Sequence, residues 1–194
     1  MIRLVLASTS RYRQELLGRL GVAFATARPN VDETALPGEL PHDTAVRLSR
    51  RKAEAVATQF PGALIIGSDQ VASLDGKPLG KPGSHEAAVA QLRAMRGRTL
   101  IFHTGICLYN SATGEAETSE VPTTVRIRPL TDAQIETYLR KDQPYDCAGS
   151  AKSESLGIAI MDSLSGNDPT ALIGLPLITL TGMLYRQGLD VLAG

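Results

Sequence analysis

The chain of 194 residues has no tryptophan and only five tyrosines and three phenylalanines. Platforms that stack single-stranded nucleic acid need several such rings, so this composition argues against one. Excess charge is missing too: 20 Lys+Arg stand against 20 Asp+Glu. No bulk field draws the chain to a nucleic acid polymer, and an anionic ligand must be held by a local cluster of cations. Cysteine is scarce. Cys107 and Cys147 form no C-x-x-C pair, and His42, His85 and His103 are scattered, so no zinc spacing is present. Reduced thiols in the cytoplasm are the expectation. No apolar run approaches a membrane span. The opening residues 1–7 are apolar for only a strand's length and lack the h-region and cleavage site of a signal peptide, so a cytoplasmic protein is expected. Internal repeats, low-complexity tracts and linkers are also lacking.

Against these absences stands an ordinary globular balance of 43% apolar and 21% charged residues, enough for a packed core. The length suits one large domain or two small lobes sharing a cleft. Residues 2–7 read as a buried strand, followed by a hydroxyl-rich turn and a helix over 11–20 capped by a serine, with Gly21 as its stop. A second strand is expected over 22–27 and a helix over 43–59. Residues 63–67 form another apolar strand, with Ser68-Asp69-Gln70 at its end and an extended continuation expected over 71–74. Asp75-Gly76 signals a hairpin. A helix over 84–95 follows, then a long antiparallel pair over 100–109 and 115–128. The rest reads as a helix over 131–141, a short strand over 158–161 and a last helix from Pro176 to about Arg186. The order predicts an α/β fold with a central mixed sheet.

Four stretches carry candidate chemistry. Ser8-Thr9-Ser10-Arg11-Tyr12-Arg13 places hydroxyls and guanidinium groups where a strand feeds a helix N-terminus, whose free N–H groups and dipole favour an anion. Its plain reading is a serine cap. Asp69, after an apolar strand, and Glu33, in a loop before a helix, offer hard oxygens suited to Mg²⁺ or Mn²⁺. The plain reading of Asp69 is a turn residue. Lys52, Lys77 and Lys81 can reach phosphate as point charges, although no Walker spacing is present. Singly, each also reads as a surface lysine. The stretch 147–154, small and polar, suits a loop near a ligand or an ordinary surface loop.

In combination these segments resemble the Maf family of nucleoside triphosphate pyrophosphatases. The likeness runs from Leu6-Ala7-Ser8-Thr9-Ser10 through Val31-Asp32-Glu33-Thr34, Lys52-Ala53, Gly67-Ser68-Asp69-Gln70-Val71 and Gly80-Lys81-Pro82 to Gly174-Leu175-Pro176. It implies a Maf/inosine triphosphatase-like fold over 1–194 as a single domain, with an elongated mixed sheet flanked by helices and two lobes around a cleft. It implies hydrolysis of a nucleoside triphosphate to a monophosphate and diphosphate with a divalent metal. Asp69 falls on the family's catalytic aspartate. Glu33 and Lys81 join it as catalytic residues, with Glu33 and Asp69 as metal ligands. Ser8, Arg13, Lys52 and Lys81 fall on phosphate-binding positions. Oligomeric state is left open, a homodimer included.

Tyr12, Gln70 and Glu154 stand where subgroups of the family differ, and the pattern resembles the branch acting on 7-methyl-GTP. The dTTP/UTP branch resembles Arg, Thr and Gln at these places. Physics fits the first branch. N7-methylated guanine is cationic, its Watson–Crick edge offers N–H donors to a carboxylate such as Glu154, and Tyr12 can stack on the charged ring. The resemblance implies house-cleaning of modified nucleotides. A dTTP/UTP pyrophosphatase, and a septum-formation regulator that binds nucleotide without turnover, stay as alternatives.

Overall fold

The computed structural model describes residues 2–193. Its elements run β1 (Arg3–Ala7), α1 (Arg11–Gly18), β2 (Ala25–Ala27), α2 (Pro41–Ala55), β3 (Ala63–Leu74), β4 (Lys77–Leu79), α3 (His85–Met95), β5 (Thr99–Asn110), β6 (Ala116–Ile127), α4 (Asp132–Asp142), β7 (Met161–Gly166) and α5 (Leu177–Arg186). The strands pair in the order β2-β1-β3-β5-β6-β7, with β4 on β3. Parallel pairs (β1 with β2 and β3) and antiparallel pairs (β3 with β4, β6 with β7) make the sheet mixed. The chain divides into two compact units. The first comprises the residues up to Gln70, Thr104–Val121 and those from Asp168 onward; the second comprises Val71–His103 and Pro122–Asn167.

In the first unit, side chains alternate between two buried faces. Leu4, Leu6, Leu64, Ile66, Ile106 and Leu108 pack with Leu16 and Leu17 of α1 and with Leu177, Leu180, Met183 and Leu184 of α5. Val5, Ala7, Ala63, Ile65 and Cys107 pack on the opposite side with Ala53 and Val56. Strand stretches covered on both faces by apolar side chains are themselves apolar, which is why residues 4–7 and 63–67 show no polar alternation. The helix α2 lies hard against the second face. A Cβ at Gly67 would stand 1.9 Å from the Ser49 carbonyl oxygen, and one at Gly105 would stand 2.2 Å from that of Ala45.

The second unit holds β4, α3, α4 and β7 with the adjoining stretches of β3, β5 and β6. The Asp75-Gly76 turn that joins β3 to β4 has positive φ at both residues (51° and 74°), as a two-residue hairpin of this type requires. Ser84 caps α3, and Thr131 with Gln134 forms a capping box on α4. His85 ties the two helices: its Nδ1 lies 2.9 Å from Tyr145 Oη and its Nε2 lies 3.1 Å from Glu136 Oε2.

The expected elements form with shifted bounds. Helix α1 ends at Gly18, with Gly21 following at φ 69°. Strand β2 is confined to Ala25–Ala27, and α2 begins at Pro41. β3 passes through Ser68-Asp69-Gln70 without a break and takes in the extended stretch expected over 71–74, ending at Leu74. One departure matters more. The apolar run read as a strand over 158–161 is a 3-10 helix, Leu156–Ile160, and β7 starts only at Met161.

Candidate active site

Strand alternation places the site residues. On β3, Asp69 follows Ile65 and Gly67 on the face that carries α2, while Ser68 and Gln70 turn to the other face. On α2, Ala45, Leu48, Ser49, Lys52 and Ala53 are buried at helical spacing, so Lys52 occupies a core position. With α2 pressed onto Gly67, the two polar residues meet. Lys52 Nζ donates to Asp69 Oδ1 at 2.5 Å and lies 2.6 Å from Glu33 Oε1. Asp69 and Lys52 are buried, whereas Glu33 is exposed.

Burial pushes the Asp69 carboxyl above the usual aspartate range; the Lys52 ammonium and the Arg13 guanidinium oppose that rise, and Glu33 adds to it. A buried acid whose net shift is upward is a better proton acceptor near neutrality than an ordinary aspartate.

The turn after β1 supplies the second half of the site. In the parallel register Leu6 pairs with Ile66, so Ser8 is level with Ser68, the residue before Asp69 on the neighbouring strand. Ser8 is buried, and its Oγ accepts from Ser10 N at 3.1 Å, which leaves its proton to donate. Ser10 caps α1 through Arg13 N, and the first turn of α1 carries no acid. An anion therefore meets the helix dipole unopposed. Arg13 is half-buried. Burial lowers its pKa, and the charges of Asp69 and Glu33 pull it back up, so it feels both carboxylates. Its Nε donates to the Gly174 carbonyl at 2.8 Å.

Cations from two helices and carboxylates from a strand and a loop thus converge at the C-terminal side of β1, around hydroxyls and a helix N-terminus. A family model described as Maf-like protein matches residues 3–187. The chain belongs to the Maf family. It is 63% identical over 189 residues to a 7-methyl-GTP pyrophosphatase of Thiobacillus denitrificans, covering 97% of this chain and 94% of that protein. A protein of the same description from Bordetella pertussis is 56% identical over 192 residues, covering 99% and 96%. Among solved structures, a nucleoside-triphosphatase / dITP/XTP pyrophosphatase from Mycobacterium abscessus aligns with a TM-score of 0.43 at 18% identity, over 66% of this chain and 76% of that one.

In this Maf chain, Ser8, Arg13, Glu33, Lys52 and Asp69 gather in the first unit. Tyr12 is half-buried on the first turn of α1. Gln70 Nε2 lies within 3.0 Å of Thr104 Oγ1 and the carbonyls of Ala171 and Leu172, so its amide N–H donors hold the segment before Gly174. Lys81 and Glu154 belong to the second unit. The Lys81 loop is pinned on both sides: Gln91 Nε2 donates to Gly80 O at 2.9 Å, and Gly83 N donates to Tyr145 O at 3.0 Å. Ser150 hydrogen-bonds Gln91 Oε1 and accepts from Tyr138 at its carbonyl, linking the 147–154 stretch to that loop. Glu154 is exposed, and Ser153 Oγ donates to its Oε2 at 3.2 Å.

Both thiols are pushed up to about 12, chiefly by burial, so neither is a nucleophile at neutral pH. Among the described residues no three His, Cys, Asp or Glu side chains cluster as a ready metal cage, and no helix is long and apolar enough to cross a membrane. Sequence reasoning missed Asp168, Thr170 and the role of Gly174. The turn string Asn167-Asp168-Pro169-Thr170 was the available signal.

Proposed function

We propose that this Maf chain is a nucleoside triphosphate pyrophosphatase that converts 7-methyl-GTP and water to 7-methyl-GMP and diphosphate. The carrying observation is the Lys52 ammonium held between Asp69 and Glu33 beside Arg13. A site that only binds triphosphate has no use for two carboxylates next to the anion. A site that activates water has. The relatives' shared description as 7-methyl-GTP pyrophosphatases supplies the substrate.

In this reading Arg13, Lys52 and Lys81 hold the triphosphate, and the Ser8 hydroxyl and the free N–H groups of α1 complete the cradle. Asp69 accepts a hydrogen bond from the attacking water and takes its proton. The water oxygen forms a bond to the α-phosphorus, the bond from that phosphorus to the bridging oxygen breaks, and diphosphate leaves with the bridging electron pair. The cations stabilise the charge that grows on the leaving group.

Glu33 and Asp69 also fit a divalent metal. Both present a hard oxygen to one nitrogen, and Mg²⁺ is commonly held by one or two carboxylates together with substrate phosphates. A bound divalent cation would neutralise phosphate charge and acidify a water. Glu154 and Tyr12 are the proposed readers of the methylated base, by accepting its N–H donors and by stacking on its cationic ring.

The test is a panel of 7-methyl-GTP, GTP, dTTP and UTP with detection of diphosphate, run with and without EDTA. Diphosphate released fastest from 7-methyl-GTP, and lost on chelation, is the expected result. Release of no diphosphate from any member overturns the reading, and preference for dTTP or UTP overturns its substrate.

A further inference from the structure

We propose that Asp168 and Thr170 are positioning residues for Arg13, acting through the carbonyl of Gly174; this rests on the pyrophosphatase reading above. The Gly174 oxygen accepts from Arg13 Nε at 2.8 Å and lies 2.8 Å from the hydroxyl of Ser68, the neighbour of Asp69 on β3. One backbone carbonyl therefore fixes the guanidinium relative to the strand that bears the acid. The bond engages Nε and leaves the two Nη groups as the donors for phosphate.

A carbonyl can aim a side chain only if its own loop is rigid. Gly174 holds φ at 116°, a conformation that strains any residue with a Cβ, and a Cβ there would stand 3.2 Å from Arg13 Nε. The loop leading to it is built around a buried carboxylate. Asp168 Oδ1 accepts from Thr170 N at 2.9 Å and from Thr170 Oγ1 at 2.7 Å, and its Oδ2 accepts from Ile178 N at 2.7 Å. Thr170 Oγ1 also lies 2.8 Å from the Leu175 carbonyl and accepts from Leu177 N at 2.9 Å. The helix α5 has no side-chain cap at its own N-cap, Pro176, so Asp168 and Thr170 satisfy its leading N–H groups from earlier in the chain. Thr104 and Gln70 hold the intervening carbonyls of Ala171 and Leu172 from the sheet side. Residues 168–176 are thus clamped from both ends, with the Gly174 carbonyl between the clamps.

A loop that serves only the fold would carry the same hydrogen bonds, so the test must read Arg13. Thr170→Val and Asp168→Asn are made in the whole chain and again in an Arg13→Lys background, where the Nε link to Gly174 is absent. Diphosphate release gives kcat and KM, calorimetry gives the affinity for inorganic diphosphate, and a thermal melt reports folding. Each single variant is expected to lose about 10- to 100-fold in kcat, as a displaced phosphate clamp does. In the Arg13→Lys background the same changes should alter kcat and diphosphate affinity less than about twofold, the signature of coupled residues. Thr170→Ser keeps the hydroxyl and should restore kcat, which also covers the case that Thr170→Val folds poorly. Equal losses in both backgrounds, or full activity of the folded single variants, overturn the proposal. A wild-type chain without turnover instead refutes the pyrophosphatase reading, and the diphosphate-affinity cycle then decides the positioning claim by itself.

Discussion

Gly67 and the Ser49 carbonyl are packed so closely that no side chain fits between them: a Cβ on Gly67 would lie 1.9 Å from that oxygen. The contact sets the depth of α2 on β3, and through it the meeting of Lys52 with Asp69. Gly67→Ala is therefore expected to destabilise the chain by about 2–3 kcal/mol through overpacking. Denaturant unfolding measures the loss, and the fraction that stays folded should have reduced activity. A stable, fully active Gly67→Ala variant would mean the helix can rise without disturbing the site.

Glu39 anchors the entry to the same helix. Its carboxylate accepts from Leu36 N, Thr44 Oγ1 and the Arg47 guanidinium, and these bonds, Arg47 foremost, hold its pKa at about 2. A folded pKa below the ordinary 4.5 means that the stabilisation is complete above 4.5 and fades as pH falls toward about 2. Glu39→Gln should cost about 1–3 kcal/mol at neutral pH, because a half-buried guanidinium loses its charged acceptor. The cost should shrink on acidification, and unfolding curves across that pH range check it.

Asp69 carries the opposite sign. Its folded pKa lies above the ordinary 3.8, so the folded chain takes up that proton more readily than the unfolded chain. Its stability contribution is greatest in acid and is lost as pH rises from 3.8 through the folded value. In the proposed mechanism activity runs the other way, since there the ionised form is the base. The acid limb of kcat/KM should fall at a pH above 3.8 and should disappear from the residual activity of Asp69→Asn. A rate that stays flat down to pH 4 would contradict an upward shift.

Much of this was legible from residue order, and the exceptions have physical causes. The apolar runs of β1 and early β3 signal strands covered on both faces, and Asp75-Gly76 signals the hairpin. Glu33, Lys52 and Asp69 stand out as candidates, and the family resemblance implies that they share a site, but residue order does not show that Lys52 bridges the two carboxylates. The polar Ser68-Asp69-Gln70 looks like a strand end because a two-sided core strand rarely turns polar midway. Here each side chain finds its own partner: Ser68 and Gln70 the segment before α5, and Asp69 the α2 lysine. Lys52 offered one overlooked cue, a charged residue on the buried stripe of its helix. Asp168 shows in the sequence only as part of a turn string, because the α5 N–H group it satisfies, that of Ile178, is ten residues away, beyond the reach of any local capping pattern. The run over 158–161 has strand-like composition but lacks a paired neighbour until Met161 meets Ile127.

The most direct measurement is diphosphate release from 7-methyl-GTP by Asp69→Asn, a near-isosteric change that removes the negative charge opposite Lys52. Loss of a positioned general base typically costs about 10²- to 10⁴-fold, and a drop of that size in kcat with a preserved thermal melt is predicted. Turnover within a few-fold of the unaltered chain would show that the buried acid does not carry the reaction.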